Sequence, residues 1–352
     1  MNAATVLHVV IGLLPVLGFL AALLYLDSYQ LVAARLVTGV IASGVVVAFV
    51  CYYVNGALLP RTGLDFTTYS RYVGPLVEEL AKGLVVVALV RANRVGFLVD
   101  AAILGFAVGA GFAIVENVAY QRLVPNAGVG LWIVRGFGTA IMHGGCTAIF
   151  AVIGVTLLER WPAAGLAAFT PGYALAVIPH AAYNHDFVSP LVSTLAVMVV
   201  VPLLLLVAFE RSERAVANWL GHGFDADAQM LESITSGRFS DSPAGRYLTS
   251  LRQRFKGAVV ADLLCYLRLH VELALRAKGV LMMRESGFDA KVDDATRSKL
   301  DEMRYLEGSI GKAGRLALGP LLREGSREIW QLRMLESESV APQGSPASGA
   351  AR

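Results

Sequence analysis

The chain has 352 residues, 56% of them hydrophobic, and a mean hydropathy of +0.59. Soluble globular chains run at about 45–50% apolar, so an ordinary soluble domain is excluded. The net charge of +3 is too small to argue for a nucleic-acid partner. Cys51, Cys146 and Cys265 lie far apart and offer neither a disulfide framework nor a thiolate zinc site.

Charge is unevenly spread. Residues 1–210 carry 9 Lys/Arg and 9 Asp/Glu, whereas residues 211–352 carry 21 and 18. A charge-poor block followed by a charge-rich one reads as a membrane domain joined to a soluble domain. A helix needs about 20 apolar residues to cross the hydrocarbon core. Candidate spans fall at 5–26, 31–54, 73–91, 96–121, 136–158, 163–187 and 190–209, about seven in all. The first lacks a basic leader and a small-residue cleavage site, so it reads as a retained helix. The fold class expected is all-α, a polytopic transmembrane bundle of about seven helices with a C-terminal soluble helical domain.

The positive-inside rule favours an extracytoplasmic N-terminus and a cytoplasmic C-terminus. That choice puts Arg35, Arg91, Arg94, Arg160, Arg211 and Arg214 in the cytoplasm and leaves Arg61, Arg71, Arg122 and Arg135 on the other face. Arg135 is expected to mark the interface. Residues 211–242 read as a polar linker and 243–336 as a cytoplasmic helical domain, opened by Ser242 as a cap and Pro243 at the first helical position. The Ser/Ala/Gly/Pro-rich residues 337–352 are expected to be disordered. A cytoplasmic partner is one role open to the soluble domain.

An ionisable group at the centre of a bilayer costs about 2.5–3.5 kcal/mol on insertion scales. The expected spans nevertheless hold Glu78, Glu79, Lys82, Glu116, His143 and His180, with Asn117 and Asn184 beside them. Counting from the helix ends at about 1.5 Å per residue, Glu78 lies roughly 9 Å deep and Glu116 roughly 8 Å deep, on helices running in opposite directions. His143 and His180 fall at a similar level. Four antiparallel helices would therefore bring their polar residues to one layer. Glu78 and Lys82 are one turn apart, as are His180 and Asn184. Pro179 weakens the helix just before His180. Gly105 and Gly109 form a small-residue stripe that allows close helix approach.

Each feature has a plainer reading. Glu78 and Lys82 could be only a salt bridge, Glu116 and Asn117 an interhelical bonding pair, and His143 a satisfied core histidine. All would have to hold together while the depths coincide. Chemically, a glutamate in a partly dry site can act as general base for a water, with histidine and asparagine polarising a carbonyl. Alternatively Glu116, His143 and His180 could hold a zinc ion with one open position. Both routes end in hydrolysis. A proton- or ion-coupled transporter would use the same carboxylates and histidines as a relay.

EELAK at 78–82, FAIVEN at 112–117, the isolated His143 and HAAYN at 180–184 are, in that order, similar to the motif series of the PrsW family of intramembrane proteases. That family sits within the wider CAAX-protease and bacteriocin-processing group. The resemblance covers about residues 70–190. It implies cleavage of a membrane-bound protein substrate, such as an anti-sigma factor in regulated signalling, at a metal-independent or glutamate-centred site. The family's glutamates fall on Glu78 and Glu79, and its histidines on His143 and His180. The prenyl-protease branch has histidine where this chain has Glu116, which sets it apart from prenylated-CAAX cleavage. In the resulting expectation, Glu78 or Glu79 is the general base and the other orients it. Lys82 tunes the pair, His143, His180 and Asn184 polarise the carbonyl, and Glu116 orients a histidine.

Overall fold

The computed structural model describes residues 3–124, 126–288, 290, 292–322 and 325–339. It is helical throughout, with no strand among the described residues. Two compact units divide at Val216/Ala217.

The first unit begins with α1 (Ala3–Leu26), α2 (Ala34–Thr62), α3 (Phe66–Arg91) and α4 (Leu98–Leu123). It continues with α5 (Val129–Ile133), which runs through a π-helical turn (Val134–Thr139) into α6 (Ala140–Arg160). A 3₁₀ segment (Pro162–Phe169) leads into α7 (Thr170–Asn184), and α8 spans Pro190–Thr235. Among the described residues six helical stretches are long and apolar enough to cross a membrane. The helix outside that set is α3, which has the length but carries Glu78, Glu79 and Lys82 at its middle. The chain is thus a multi-pass membrane protein, and α3 is its polar helix.

Helix α4 is central. It is apolar on every side, as a helix surrounded by others must be, and every residue from Val99 to Ala113 is buried. Gly105 and Gly109 let α6 approach closely. A Cβ on Gly105 would come within 2.8 Å of the Thr147 carbonyl oxygen, and one on Gly109 would run into the carbonyl of His143. This contact fixes His143 against α4. On the other side, Val47, Ala48 and Cys51 of α2 pack on Phe112 of α4, with Val77, Ala81 and Val85 of α3 against them. Gly63, at φ +69°, ends α2. Asp65 then caps α3, accepting from the Thr68 amide at 3.0 Å. Side chains such as Leu14, Val46, Tyr52 and Leu203 point outward and are exposed, as lipid-facing apolar residues are.

In the second unit, α9 (Pro243–Ser250), α10 (Gly257–Glu285), α11 (Asp294–Leu318) and α12 (Ser326–Ser339) pack together. Ser242 does cap α9, accepting from the Gly245 amide at 3.0 Å. Between α9 and α10 a 3₁₀ turn (Leu251–Gln253) interrupts the helical run. The segment read as a linker, 211–242, is mostly helix. Residues 211–235 continue α8, because Val216 and Leu220 recur at helical spacing and are buried. The tail expected at 337–352 lies outside the described residues from 340 onward.

Candidate active site

The polar residues of the membrane unit meet in one linked cluster, built around Lys82. Its side chain is fully buried, as is that of Glu79 at 1% exposure. Lys82 Nζ donates to Glu79 Oε1 at 2.5 Å and lies 3.0 Å from His143 Nδ1. It also sits 4.7 Å above the ring of Phe112. The pair is i,i+3, so Lys82 bonds to Glu79 rather than to Glu78 one full turn away. The fourfold spacing read as a salt bridge is therefore unused, and Glu78 is left for other contacts.

Glu79 Oε1 also bonds to His180 Nδ1 at 2.7 Å. A carboxylate only accepts, so this bond puts a hydrogen on Nδ1, and in the neutral ring the lone pair is then on Nε2. That Nε2 faces Glu78 Oε2 at 3.8 Å, too far for a hydrogen bond. His143 and His180 meet edge to face, 4.7 Å apart. Helix α7 continues through Pro179, with His180 only 2% exposed.

The other end of the cluster belongs to Glu116. His143 Nε2 lies 2.8 Å from Glu116 Oε2, and Arg135 Nη2 lies 3.3 Å from Glu116 Oε1. Both His143 nitrogens are thus engaged. The ammonium of Lys82 can only donate, so Nδ1 accepts from it and Nε2–H donates to Glu116. Arg135, expected to mark the interface, is buried within the protein. The π-helical turn that carries it directs the side chain inward, where Nε donates to Asn117 Oδ1 at 2.9 Å.

The two carboxylates with some exposure are Glu78, at 20%, and Glu116, at 30%. These are the groups a substrate can reach, whereas Glu79 is sealed between a lysine and a histidine. Two expected members stand apart from the reacting groups. Asn184 Nδ2 donates to the Ser70 carbonyl at 3.0 Å, and the Asn184 carbonyl accepts from Arg71 Nε at 3.3 Å. Asn184 therefore ties the end of α7 to the start of α3. Asn117 Nδ2 donates to the Gly12 carbonyl of α1 at 2.7 Å while its oxygen holds Arg135.

Sequence reasoning missed Asn55 and Tyr69. Asn55 Nδ2 reaches Glu78 Oε1 at 3.4 Å, and Tyr69 OH donates to Asn55 Oδ1 at 3.0 Å. Asn55 lies one residue beyond the span expected at 31–54, in a helix that continues to Thr62.

Ligand-capable atoms of Glu78, His143 and His180 lie within 4.8 Å of one another. This trio differs from the expected one in having Glu78 where Glu116 was placed, since Glu116 is turned toward Arg135. The donor chemistry fits a divalent ion. His180 presents a bare Nε2 with its other nitrogen fixed by a carboxylate, the usual support behind a metal-bound histidine. Glu78 Oε2 is free beside it, and His143 joins by releasing one of its two bonds.

A family model described as "PrsW family intramembrane metalloprotease" matches residues 28–208, which is more than half of the chain and spans every member of the cluster. No curated protein and no solved structure gives a match.

Proposed function

The chain belongs to the PrsW family of intramembrane metalloproteases, and from that premise we propose that it hydrolyses a peptide bond of a membrane-embedded protein with a water activated by Glu78. One observation carries the choice of Glu78. Glu79 is locked by Lys82 at 2.5 Å and His180 at 2.7 Å, while Glu78 is partly exposed with Oε2 directed toward the bare Nε2 of His180.

A water between Glu78 Oε2 and His180 Nε2 can donate one hydrogen to each, which aims its oxygen lone pair at a carbonyl carbon. Glu78 takes one proton as the oxygen attacks. The C–N bond then breaks, and Glu78 returns the proton to the leaving amine. Glu79 holds the His180 tautomer, and Lys82 balances the charge of Glu79 without reaching the substrate. Glu116, the other reachable carboxylate, is held by Arg135 and His143.

Glu78, His143 and His180 are the residues that would hold a metal ion, and such an ion supplies carbonyl polarisation and a lower pKa for bound water. The two roles compete for the same Glu78 oxygen. With α3 crossing as a seventh span, the arginines favour an extracytoplasmic N-terminus and a cytoplasmic C-terminus, and the cluster would then lie in the outer half of the bilayer.

The test compares membrane-protein fragments in cells expressing equal amounts of wild type, Glu78→Gln or His180→Ala. A fragment made only by wild type, reduced by about 10²–10⁴-fold in Glu78→Gln, supports the reading. It also identifies the substrate and says whether that substrate is a signalling protein. Identical fragment patterns in the three strains overturn it. In solubilised wild type, loss of cleavage on chelation and its return with zinc assigns Glu78 to the ion. Cleavage indifferent to chelators assigns it to the water.

A further inference from the structure

We infer that Arg135 is a positioning residue for this reaction, acting through Glu116 on His143; the inference rests on the peptidase reading of the same cluster. Arginine inside an apolar span is costly, and this one is 6% exposed. Its guanidinium is nevertheless held on three sides. Nε donates to Asn117 Oδ1 at 2.9 Å, the guanidinium carbon lies 3.6 Å from the centre of the Tyr120 ring, and Nη2 is 3.3 Å from Glu116 Oε1. The last contact is an ion pair without hydrogen-bond alignment, so Nη2 acts on Glu116 by charge and leaves the carboxylate's directional bond to His143.

The local backbone explains how Arg135 reaches this position. The π-helical turn Val134–Thr139 widens the helix just before α6, and such turns re-aim side chains where an α-helical register would send them elsewhere. Asn117 is itself anchored to the Gly12 carbonyl of α1, so the guanidinium is fixed by two neighbouring helices as well as its own.

The consequence is a chain of alternating charge. Arg135 faces Glu116, which accepts from His143 Nε2, whose Nδ1 accepts from Lys82, which neutralises Glu79 behind His180. Without Arg135, Glu116 is a second uncompensated carboxylate beside Glu78 in a medium of low dielectric. It would then turn toward solvent and release His143, and Lys82 would lose its second partner. Arg135 is therefore five contacts from His180 along this chain yet sets the geometry from which His180 and Glu78 hold a water.

The test uses the full chain in membranes. The readout is the fragment that wild type produces and Glu78→Gln does not. Arg135→Gln is expected to lower kcat by about 10–100-fold, the scale of lost outer supports in such sites, with KM unchanged. Arg135→Lys, which keeps the charge but not the fork, should recover part of the loss. In a Glu116→Gln background, Arg135→Gln should add almost nothing, because its target is gone; a merely structural arginine would give additive losses. A second readout needs no substrate. Nitrogen NMR of ¹⁵N-histidine-labelled protein, with His143→Gln for assignment, should show one tautomer with hydrogen on Nε2 in wild type and a mixture in Arg135→Gln. Full activity in Arg135→Gln, additive losses in the double variant, or an unchanged His143 signal would overturn the inference while leaving the peptidase reading in place. If wild type makes no such fragment, both fall together.

Discussion

Among the described residues two lysines are almost completely buried, one in each unit, and their immediate surroundings match. Lys82 has a carboxylate at 2.5 Å (Glu79), a neutral polar partner at 3.0 Å (His143) and an aromatic face at 4.7 Å (Phe112). Lys278 has Asp227 at 2.6 Å, Gln331 at 3.3 Å and the ring of Trp219 at 4.7 Å. Burial of a paired charge therefore does not mark a reactive site. The difference lies one contact further out. Glu79 passes on to His180, and Glu78 and Glu116 bring two further carboxylates with partial exposure. Around Lys82 the acid groups outnumber what the lysine can neutralise, and histidines connect them. Around Lys278 the charge closes with Asp227, beside a cavity of about 200 Å³ lined by Trp219, His270 and Gln331. The first arrangement has chemistry left over; the second is a structural pair.

That comparison can be broken by matched substitutions. Lys82→Met strands the buried Glu79, and breaking such a pair costs about 3–5 kcal/mol, whereas Lys278→Met strands Asp227, which at 20% exposure loses less. Both should lower thermal stability in detergent. Cleavage per folded molecule should disappear in Lys82→Met and stay at the wild-type level in Lys278→Met. Removing both charges should restore stability in each unit, through Lys82→Met with Glu79→Leu and through Lys278→Met with Asp227→Leu. Only the second double variant should cleave. If the first retains activity, Lys82 and Glu79 are structural and the contrast between the units is lost.

A smaller effect is expected at Asn55, which touches the surplus directly. Its amide bonds to Glu78 Oε1 while Tyr69 holds its oxygen. Asn55→Ala should cost about 1 kcal/mol of transition-state stabilisation, near the net worth of one hydrogen bond, and so slow cleavage severalfold. Tyr69→Phe should give part of that loss, because it frees Asn55 to rotate. Loss in Tyr69→Phe without loss in Asn55→Ala would mean that Tyr69 acts by another route and that Glu78 needs no support from α2.

Much of this cluster was legible from depth alone. Glu78, Glu79, Lys82, Glu116, His143 and His180 each stood out as ionisable groups in apolar segments, and counting residues from the helix ends put them at one level. The errors were of rotation and reach. The choice of Lys82 partner depends on side-chain direction, and i,i+3 competes with i,i+4 on any helix. The partners of Arg135 were hidden because the π-helical turn that carries it is invisible in composition. Asn184 shares a face with His180, yet its amide lies one turn nearer the helix end and finds the Ser70 carbonyl first. In the second unit, the Ser242–Pro243 signal located a helix start correctly. The polar stretch after Glu210 concealed a continuing helix, because spaced buried residues such as Val216 and Leu220 are diluted by charged neighbours.

Glu272 extends the comparison to a carboxylate near the surface and gives its smallest expected effect. Its side chain is 12% exposed, and it accepts from Lys299 at 2.6 Å and Arg268 at 2.8 Å. Partial burial pushes its pKa up, but the bonds and charges of these two cations outweigh that and hold it below the usual glutamate value. A carboxyl whose folded pKa is depressed contributes stability above its unfolded pKa, about 4.3, and loses it as pH falls through the lower folded value. The melting temperature of Glu272→Gln should therefore lie below that of wild type at pH 7, and the gap should close below about pH 4. High salt should also narrow the gap, since both cations are about half exposed. Lys278→Met, which removes a cation only 3% exposed, should keep its deficit in the same salt. If salt erased both deficits equally, Lys278 and Asp227 would be screened like a surface pair, and burial of the lysine would not set them apart.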